Sequence, residues 1–289
     1  MNLGEFRRNY YETLIHGGIL NLFRSIWYQS RIIVLQLIPR GNFGNTSVTD
    51  SHLFHTYRET CLYIKNSEAI NYFRRIKTII DVYDHVTYFQ AKQYIRILSR
   101  RNHLNFLDNE PALGRPFLYK FKGVKNEVST LNTRYSKVFS DIAMLFPDVK
   151  FKNICEIGVG FGGLAYKFRD VESYTIYDLP EVNQLANFYL DKSNAPNIYK
   201  CRDGRKSIQR SQFDLVISNY AFSELTREMQ DLYIENILLN ATHGYITWSP
   251  VSLFSLDGYP VADLLRIFTK AQVMDERPLT GARNLIIYW

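Results

Sequence analysis

Cysteine is scarce in this chain. Cys61, Cys155 and Cys201 are odd in number and far apart, which excludes a disulfide framework and a zinc site built on paired cysteines, and fits a reducing compartment. Long apolar runs are lacking as well. The most apolar early stretch, residues 17–39, is interrupted by Arg24 and Arg31, so no membrane span is expected. The opening MNLGEFRRNYYETL carries acids and no unbroken apolar region, so no secretory leader is expected either. The expected location is the cytoplasm. There is no RGG tract, lysine block or internal repeat to announce a nucleic-acid binder.

What is present is an ordinary share of core material, 46% hydrophobic over 289 residues, enough for a large domain or a domain with a sizeable extension. The net charge of +7 is unevenly placed: residues 1–150 hold 21 Lys or Arg against 12 Asp or Glu, and the remainder 14 against 16. The basic half is either a solvated, Arg-rich helical surface or one that faces an anion such as RNA, a lipid surface or a phosphorylated sugar.

Two textures divide the chain. Residues 1–125 read as helical: LIHGGILNLFRSIWYQSRIIVLQLI, SHLFHTYRETCLYI, SEAINYFRRIKTIIDVYDHV and TYFQAKQYIRILSRR repeat apolar residues at three- and four-residue spacings. Ser67 and Thr87 are helix starts. Residues 39–50 form a loop, and residues 109–127 a second break with a short extended segment. A long helix is predicted over 130–147. From Asn153, strands alternate with helices. The strands are NICEIG, SYTIYDL, NIYKCR, FDLVISN, HGYITWS, QVMDERP and RNLIIYW; the helices between them include GGLAYKFRDV, LPEVNQLANFYLDK and TREMQDLYIENILLN. Such alternation predicts an α/β fold with a mainly parallel sheet covered on both faces. Only LTGA separates the last two strands, too short for a crossover helix, so they form an antiparallel hairpin. His243 is read as a turn residue ahead of its strand.

The stretch EIGVGFGGLAYKF carries the chemistry. Gly158, Gly160 and Gly163 fit the G-x-G-x-x-G of dinucleotide-binding folds; Glu156, Gly158, Gly160 and Gly162 fit the E-x-G-x-G-x-G of S-adenosylmethionine methyltransferases. Either way, glycine permits a tight strand-to-helix turn and close backbone approach to a ligand. Asp178, 22 positions after Glu156 and at the end of the next strand, suits the ribose hydroxyls of both cofactors. Two features favour S-adenosylmethionine: Glu156 would repel a pyrophosphate but not a sulfonium or an amino group, and a C-terminal hairpin strand belongs to the methyltransferase sheet. Asp203 is placed to meet an adenine amino group, or else is a turn residue in Arg202-Asp203-Gly204. Asn219 and Tyr220 follow the fourth strand, at the edge where open α/β sheets bind ligands.

EIGVGFGGLAYKF, YTIYDLPEV, FDLVISNYAFSEL, YIENIL and GYITWS, taken in order, resemble the bacterial sugar O-methyltransferase family, and GRPFLYKFKG…LNTRYSKVF resembles the segment preceding its fold. The likeness spans about residues 80–250 and is best over 153–240. It implies a class I methyltransferase, with a Rossmann-like sheet, acting on a sugar hydroxyl in surface-glycan pathways. It carries cofactor binding to Glu156, Gly158, Gly160, Gly162 and Asp178, with Leu179 beside the last, and places Asn219 and Glu224 at the active-site edge.

Such a transfer requires removal of the acceptor's proton. His85, beside Asp84, is one candidate base and Glu224 another; His16, His55 and His103 are further options. No Asp-Asp pair follows the fourth or fifth strand and Asp257 stands alone, so no metal is expected. The expected organisation is a helical cap over residues 1–125 and a cofactor domain over residues 126–289, with Arg115, Lys120 and Arg134 as candidates to hold the acceptor. Two alternatives stay open. One is RNA methylation, although Asn219-Tyr220-Ala221-Phe222 lacks the prolines of enzymes that methylate exocyclic base nitrogens. The other is a catalytically inactive cofactor-binding subunit of a larger assembly.

Overall fold

The structure is a computed structural model that describes residues 47, 55–83, 86–107, 110–195, 198–206, 208–250, 256–280 and 283–289. The chain divides into two compact units, residues 1–40 with 59–147 and residues 41–58 with 148–289.

Helix α1 (His55–Lys65) precedes two 3-10 turns, Glu68–Asn71 and Phe73–Arg75, then α2 (Lys77–Val82) and α3 (Tyr88–Arg100). The stretch from Ser67 to Val86, predicted as one helix, is thus broken, and the reason is tertiary. Arg74 is 1% exposed; it pairs with Glu110 at 2.8 Å and donates to Ser129 Oγ at 2.8 Å, while Arg75 donates to the Arg115 carbonyl at 2.5 Å. Ser67 and Thr87 do start elements, Thr87 through a capping box with Gln90. The extended segment is the two-residue strand β1 (Leu118–Tyr119), antiparallel to β2 (Val128–Ser129). Helix α4 (Thr130–Leu145) follows and packs on α3, with Leu131, Val138 and Ile142 among its buried residues.

In the second unit, β3 (Asn153–Ile157), β4 (Ser173–Asp178), β5 (Tyr199–Asp203), β6 (Phe213–Asn219), β7 (Ala241–Trp248), β8 (Gln272–Asp275) and β9 (Leu285–Tyr288) form one seven-stranded sheet in the order β5-β4-β3-β6-β7-β9-β8. Strands β3 to β7 are parallel; β9 runs antiparallel to both β7 and β8. This is the mainly parallel α/β sheet with a C-terminal antiparallel hairpin that the sequence predicts. Ile154, Ile176, Leu215, Val216 and Ile217 on its central strands are wholly buried, as a parallel sheet covered on both faces requires.

Helices α5 (Pro180–Lys192), α6 (Arg227–Asn236) and α7 (Val261–Ile267) complete the unit. Two local predictions fail, and one helix was not foreseen. GGLAYKFRDV yields a single 3-10 turn, Ala165–Phe168, because Gly162 sits at φ +95° and β4 begins at Ser173; a left-handed residue cannot join a right-handed helix. Helix α7, behind Pro260, has no counterpart in the sequence reading. His243 lies inside β7, edge-on to Phe151, not in a turn. Among the described residues, no helix is long and apolar enough to cross a membrane.

Candidate functional site

The parallel strands end at one edge of the sheet, and most of the predicted site residues lie there. Strand β3 runs into a loop in which Gly158, Gly160 and Gly162 all have positive φ, +79°, +59° and +95°, a backbone that glycine adopts freely. At Gly158 there is no room for a side chain either: a Cβ would stand 2.0 Å from that of Ala221. The Gly158 N–H donates to the Tyr177 carbonyl at 2.8 Å, binding the loop to the end of β4. The 3-10 turn after the loop is not a helix whose N-terminus receives a diphosphate.

Asp178 ends β4. Its carboxylate accepts the Gly160 N–H at 3.1 Å and the Leu179 N–H at 2.7 Å. Burial pushes this carboxyl up to about 7, against the pull of the N–H bonds. Leu179 stands at the start of α5, with Pro180 in the first turn. Glu181 in that turn is gripped by Arg58, Nη2 to Oε1 at 2.7 Å and Nε to Oε2 at 3.2 Å. Burial alone would raise the Glu181 carboxyl, but the guanidinium holds it below its usual range. Asp203 pairs with Asp178 in the β4–β5 register. Its carboxylate accepts from Arg205 N at 3.0 Å, Nε at 3.2 Å and Nη2 at 3.3 Å. Here too burial works upward, and the bonds from Arg205 bring the carboxyl below its usual range. Asp203 therefore organises the turn that the sequence allowed for.

Glu156 differs from expectation in its charge. It is 2% exposed, and its carboxyl accepts the Tyr174 hydroxyl at 2.7 Å. Burial lifts it to about 8 despite that bond, so it is mostly neutral at pH 7. Repulsion of a pyrophosphate by Glu156 is correspondingly weak.

At the end of β6 the Asn219 Oδ1 accepts the Thr247 hydroxyl at 3.1 Å. Tyr220 has φ +69°, uncommon for a residue with a side chain. Its hydroxyl bonds the carboxylate of Glu276 and, at 2.7 Å, Thr280 Oγ1. Glu224 closes the turn Ala221–Glu224 and is half-buried. Sequence reasoning missed Arg58, Glu181, Glu276, Thr280 and Asn284; an acid next to a predicted edge hairpin was the available signal for Glu276.

The remaining candidates that lie among the described residues each have a local partner or are buried. His85 and His16 lie outside the described residues, as does the side chain of His55. His103 is a packing residue, its Nδ1 2.8 Å from Ser140 Oγ and its ring stacked on Phe106 at 4.5 Å. Arg115 lays its guanidinium over Tyr72 at 4.6 Å, Lys120 donates to the Lys125 carbonyl at 2.7 Å, and Arg134 is buried in α4. No group of three or more metal-ligating side chains occurs among the described residues.

Carboxylates ending two adjacent strands suit ribose hydroxyls and a base amino group, and a left-handed glycine loop suits close backbone approach. A loop N–H held by Asp178 and followed by no helix does not suit a diphosphate.

No family model and no curated protein matches the sequence. Among solved structures the chain is similar to the Synechocystis PCC 6803 magnesium protoporphyrin IX methyltransferase with bound SAM, at 15% identity over 54% of this chain and 78% of that one, TM-score 0.42. It is similar to the N-terminal domain of EvdMO1 with SAH bound, at 16% identity over 67% and 95%, TM-score 0.42. It is also similar to an O-methyltransferase family protein from Burkholderia thailandensis, at 10% identity over 54% and 59%, TM-score 0.37. At these values the similarities add nothing to the strand order described above.

Proposed function

We propose that this chain is an S-adenosyl-L-methionine-dependent O-methyltransferase whose acceptor is a hydroxyl of a nucleotide-linked, phosphorylated or glycan-bound sugar. The observation that carries the reading is the glycine loop bonded to Asp178 and followed by no helix N-terminus. It supports a nucleoside ligand whose tail is not a diphosphate. In this reading Asp178 accepts from the ribose hydroxyls and Asp203 from the adenine amino group. The backbone of Gly158, Gly160, Gly162 and Leu179, with Glu156 behind the loop, shapes the pocket; Asn219 and Tyr220 border the methyl group. When bound, the cofactor supplies an electrophilic methyl carbon on a sulfonium.

The chain's own tasks are to hold the acceptor oxygen in line, to exclude competing water and to take the hydroxyl proton. Glu224 and His85 are the bases first suggested by sequence. The excess of Lys and Arg in residues 1–150, with Arg115, Lys120 and Arg134 among them, supports an anionic group on the acceptor. Calorimetric titration with S-adenosylhomocysteine, with NADH as control, tests the reading. Micromolar binding of the first alone is expected; binding of NADH instead would sink it.

A further inference from the structure

The carboxyl edge holds a second polar centre that no cofactor contact explains. Glu276, just beyond β8, is 5% exposed. Its Oε2 accepts the Thr280 N–H at 3.2 Å, the Thr280 hydroxyl at 2.8 Å and Asn284 Nδ2 at 3.1 Å, and its Oε1 accepts the Tyr220 hydroxyl. All of these donors are neutral, and the neighbouring Arg277 turns instead to Asp275 at 2.8 Å. A buried carboxylate held by neutral donors is a poor way to stabilise a fold. Tyr220 adds a second cost, its left-handed backbone, which persists because its N–H donates to the Thr247 carbonyl at 2.9 Å and its carbonyl accepts the Ser223 hydroxyl at 2.6 Å. Strain of this kind, held in place from several sides and next to Asn219 on a ligand-binding edge, marks a functional position.

We propose, resting on the methyltransferase reading above, that Tyr220 and Glu276 form the proton-accepting pair for the acceptor hydroxyl. Tyr220 touches the acceptor and Glu276 is the positioning residue behind it. The acceptor proton passes to the Tyr220 oxygen as the Tyr220 proton passes to Glu276 Oε1. The acceptor oxygen forms its new bond to the methyl carbon, and the electron pair of the broken carbon–sulfur bond stays on sulfur. The carboxylate's negative charge and the sulfonium's positive charge are both cancelled, so the step balances without another reactant.

The test uses the full chain with 13Cζ-labelled tyrosine, the Tyr220 resonance being assigned by its loss in Tyr220→Phe. With S-adenosylhomocysteine bound, nucleotide-linked and phosphorylated sugars are added one at a time. At least one is expected to move the Tyr220 resonance and to be turned over with S-adenosylmethionine. Glu276→Gln keeps the loop, because the amide oxygen still accepts from Thr280 and Asn284, but its NH2 then faces Tyr220 and cannot take a proton. Both variants are expected to bind S-adenosylhomocysteine within about twofold of the parent while turnover falls about a hundredfold or more. A Tyr220 resonance indifferent to every sugar, or Tyr220→Phe turning over at near-parental rate, overturns the pair. Failure of the parent chain to bind S-adenosylhomocysteine at all overturns the methyltransferase reading instead.

Discussion

Replacing Glu156 by Gln should make the protein more stable than the parent at alkaline pH. The carboxyl has an ordinary value of 4.5 in the unfolded chain and about 8 in the fold. Between those values the native state binds more protons than the unfolded state, so stability falls as pH rises across the window and levels off above the folded value. The stability this group contributes is fully present below the unfolded value and is lost as pH rises through the folded one. Each pH unit inside the window is worth about 1.4 kcal/mol. From pH 6 to pH 9 the parent should therefore lose roughly 2–3 kcal/mol from this one group, as an upper-range figure.

In Glu156→Gln the amide oxygen can still accept the Tyr174 hydroxyl, which bonds the parent at 2.7 Å, and nothing at the position titrates. The assay is urea unfolding of both proteins at pH 6, 7, 8 and 9, read as the difference between them so that titrations not coupled to Glu156 cancel. The difference should grow in favour of the variant with each step. A difference constant to within about 0.5 kcal/mol, near the error of the extrapolation, would refute the claim that burial governs Glu156. A difference growing in favour of the parent would mean that the sheet stabilises the carboxylate.

The other outcomes can be checked with the same protein. Because the Asp178 carboxyl sits at about 7 and only its ionised form accepts from two ribose hydroxyls, S-adenosylhomocysteine affinity should drop about tenfold from pH 8 to pH 6 by calorimetry; Asp178→Ala should weaken binding strongly at pH 8 and remove this pH dependence. Gly158→Ala should cost about 2–5 kcal/mol, because the new Cβ would lie 2.0 Å from Ala221. Gly123→Ala, also at positive φ but with nothing within 4 Å, should cost only about 1–2 kcal/mol; thermal unfolding separates the two. Glu110→Ala would strip the 1%-exposed side chain of Arg74 of its carboxylate and should cost about 3–5 kcal/mol in denaturant unfolding.

The strands and the closing hairpin were legible because each buried strand of the sheet is a short apolar run bounded by turn residues, and LTGA is too short for anything but a hairpin. The Thr87 cap was legible for the same local reason. The failures share a cause. In SEAINYFRRIKTIIDVYDHV the apolar spacing is helical, yet Arg74 answers to Glu110 and Ser129, 36 and 55 positions away in the sequence. Glu156 was legible as the acid of a glycine motif, but not as a neutral one: its state is set by Tyr174 and by burial between strands. Asp203 could be read two ways, and the bonds from Arg205 that hold its turn form only once the turn exists. Side-chain type and spacing carry the backbone; burial and distant partners carry the charge.

That distinction matters most at the hairpin. Strand β9 is antiparallel to both of its neighbours, so β8 points the same way as β7, and Trp248 and Asp275 each pair with Leu285. Inserting one reversed strand thus returns the end of β8 to the edge where β4, β5 and β6 also end. Asp178, Asp203, Asn219 and Glu276 all stand at or just beyond the carboxyl ends of strands that run in one direction, and Asn284 joins them only because β9 begins where the others stop. A simple parallel continuation of the sheet would need a further crossover helix between its last strands. The hairpin needs only a short turn, and that turn closes on Glu276 and Tyr220. One of the two features that favour a methyl donor in the sequence is therefore the same one that brings a buried carboxylate to the carboxyl edge of the sheet.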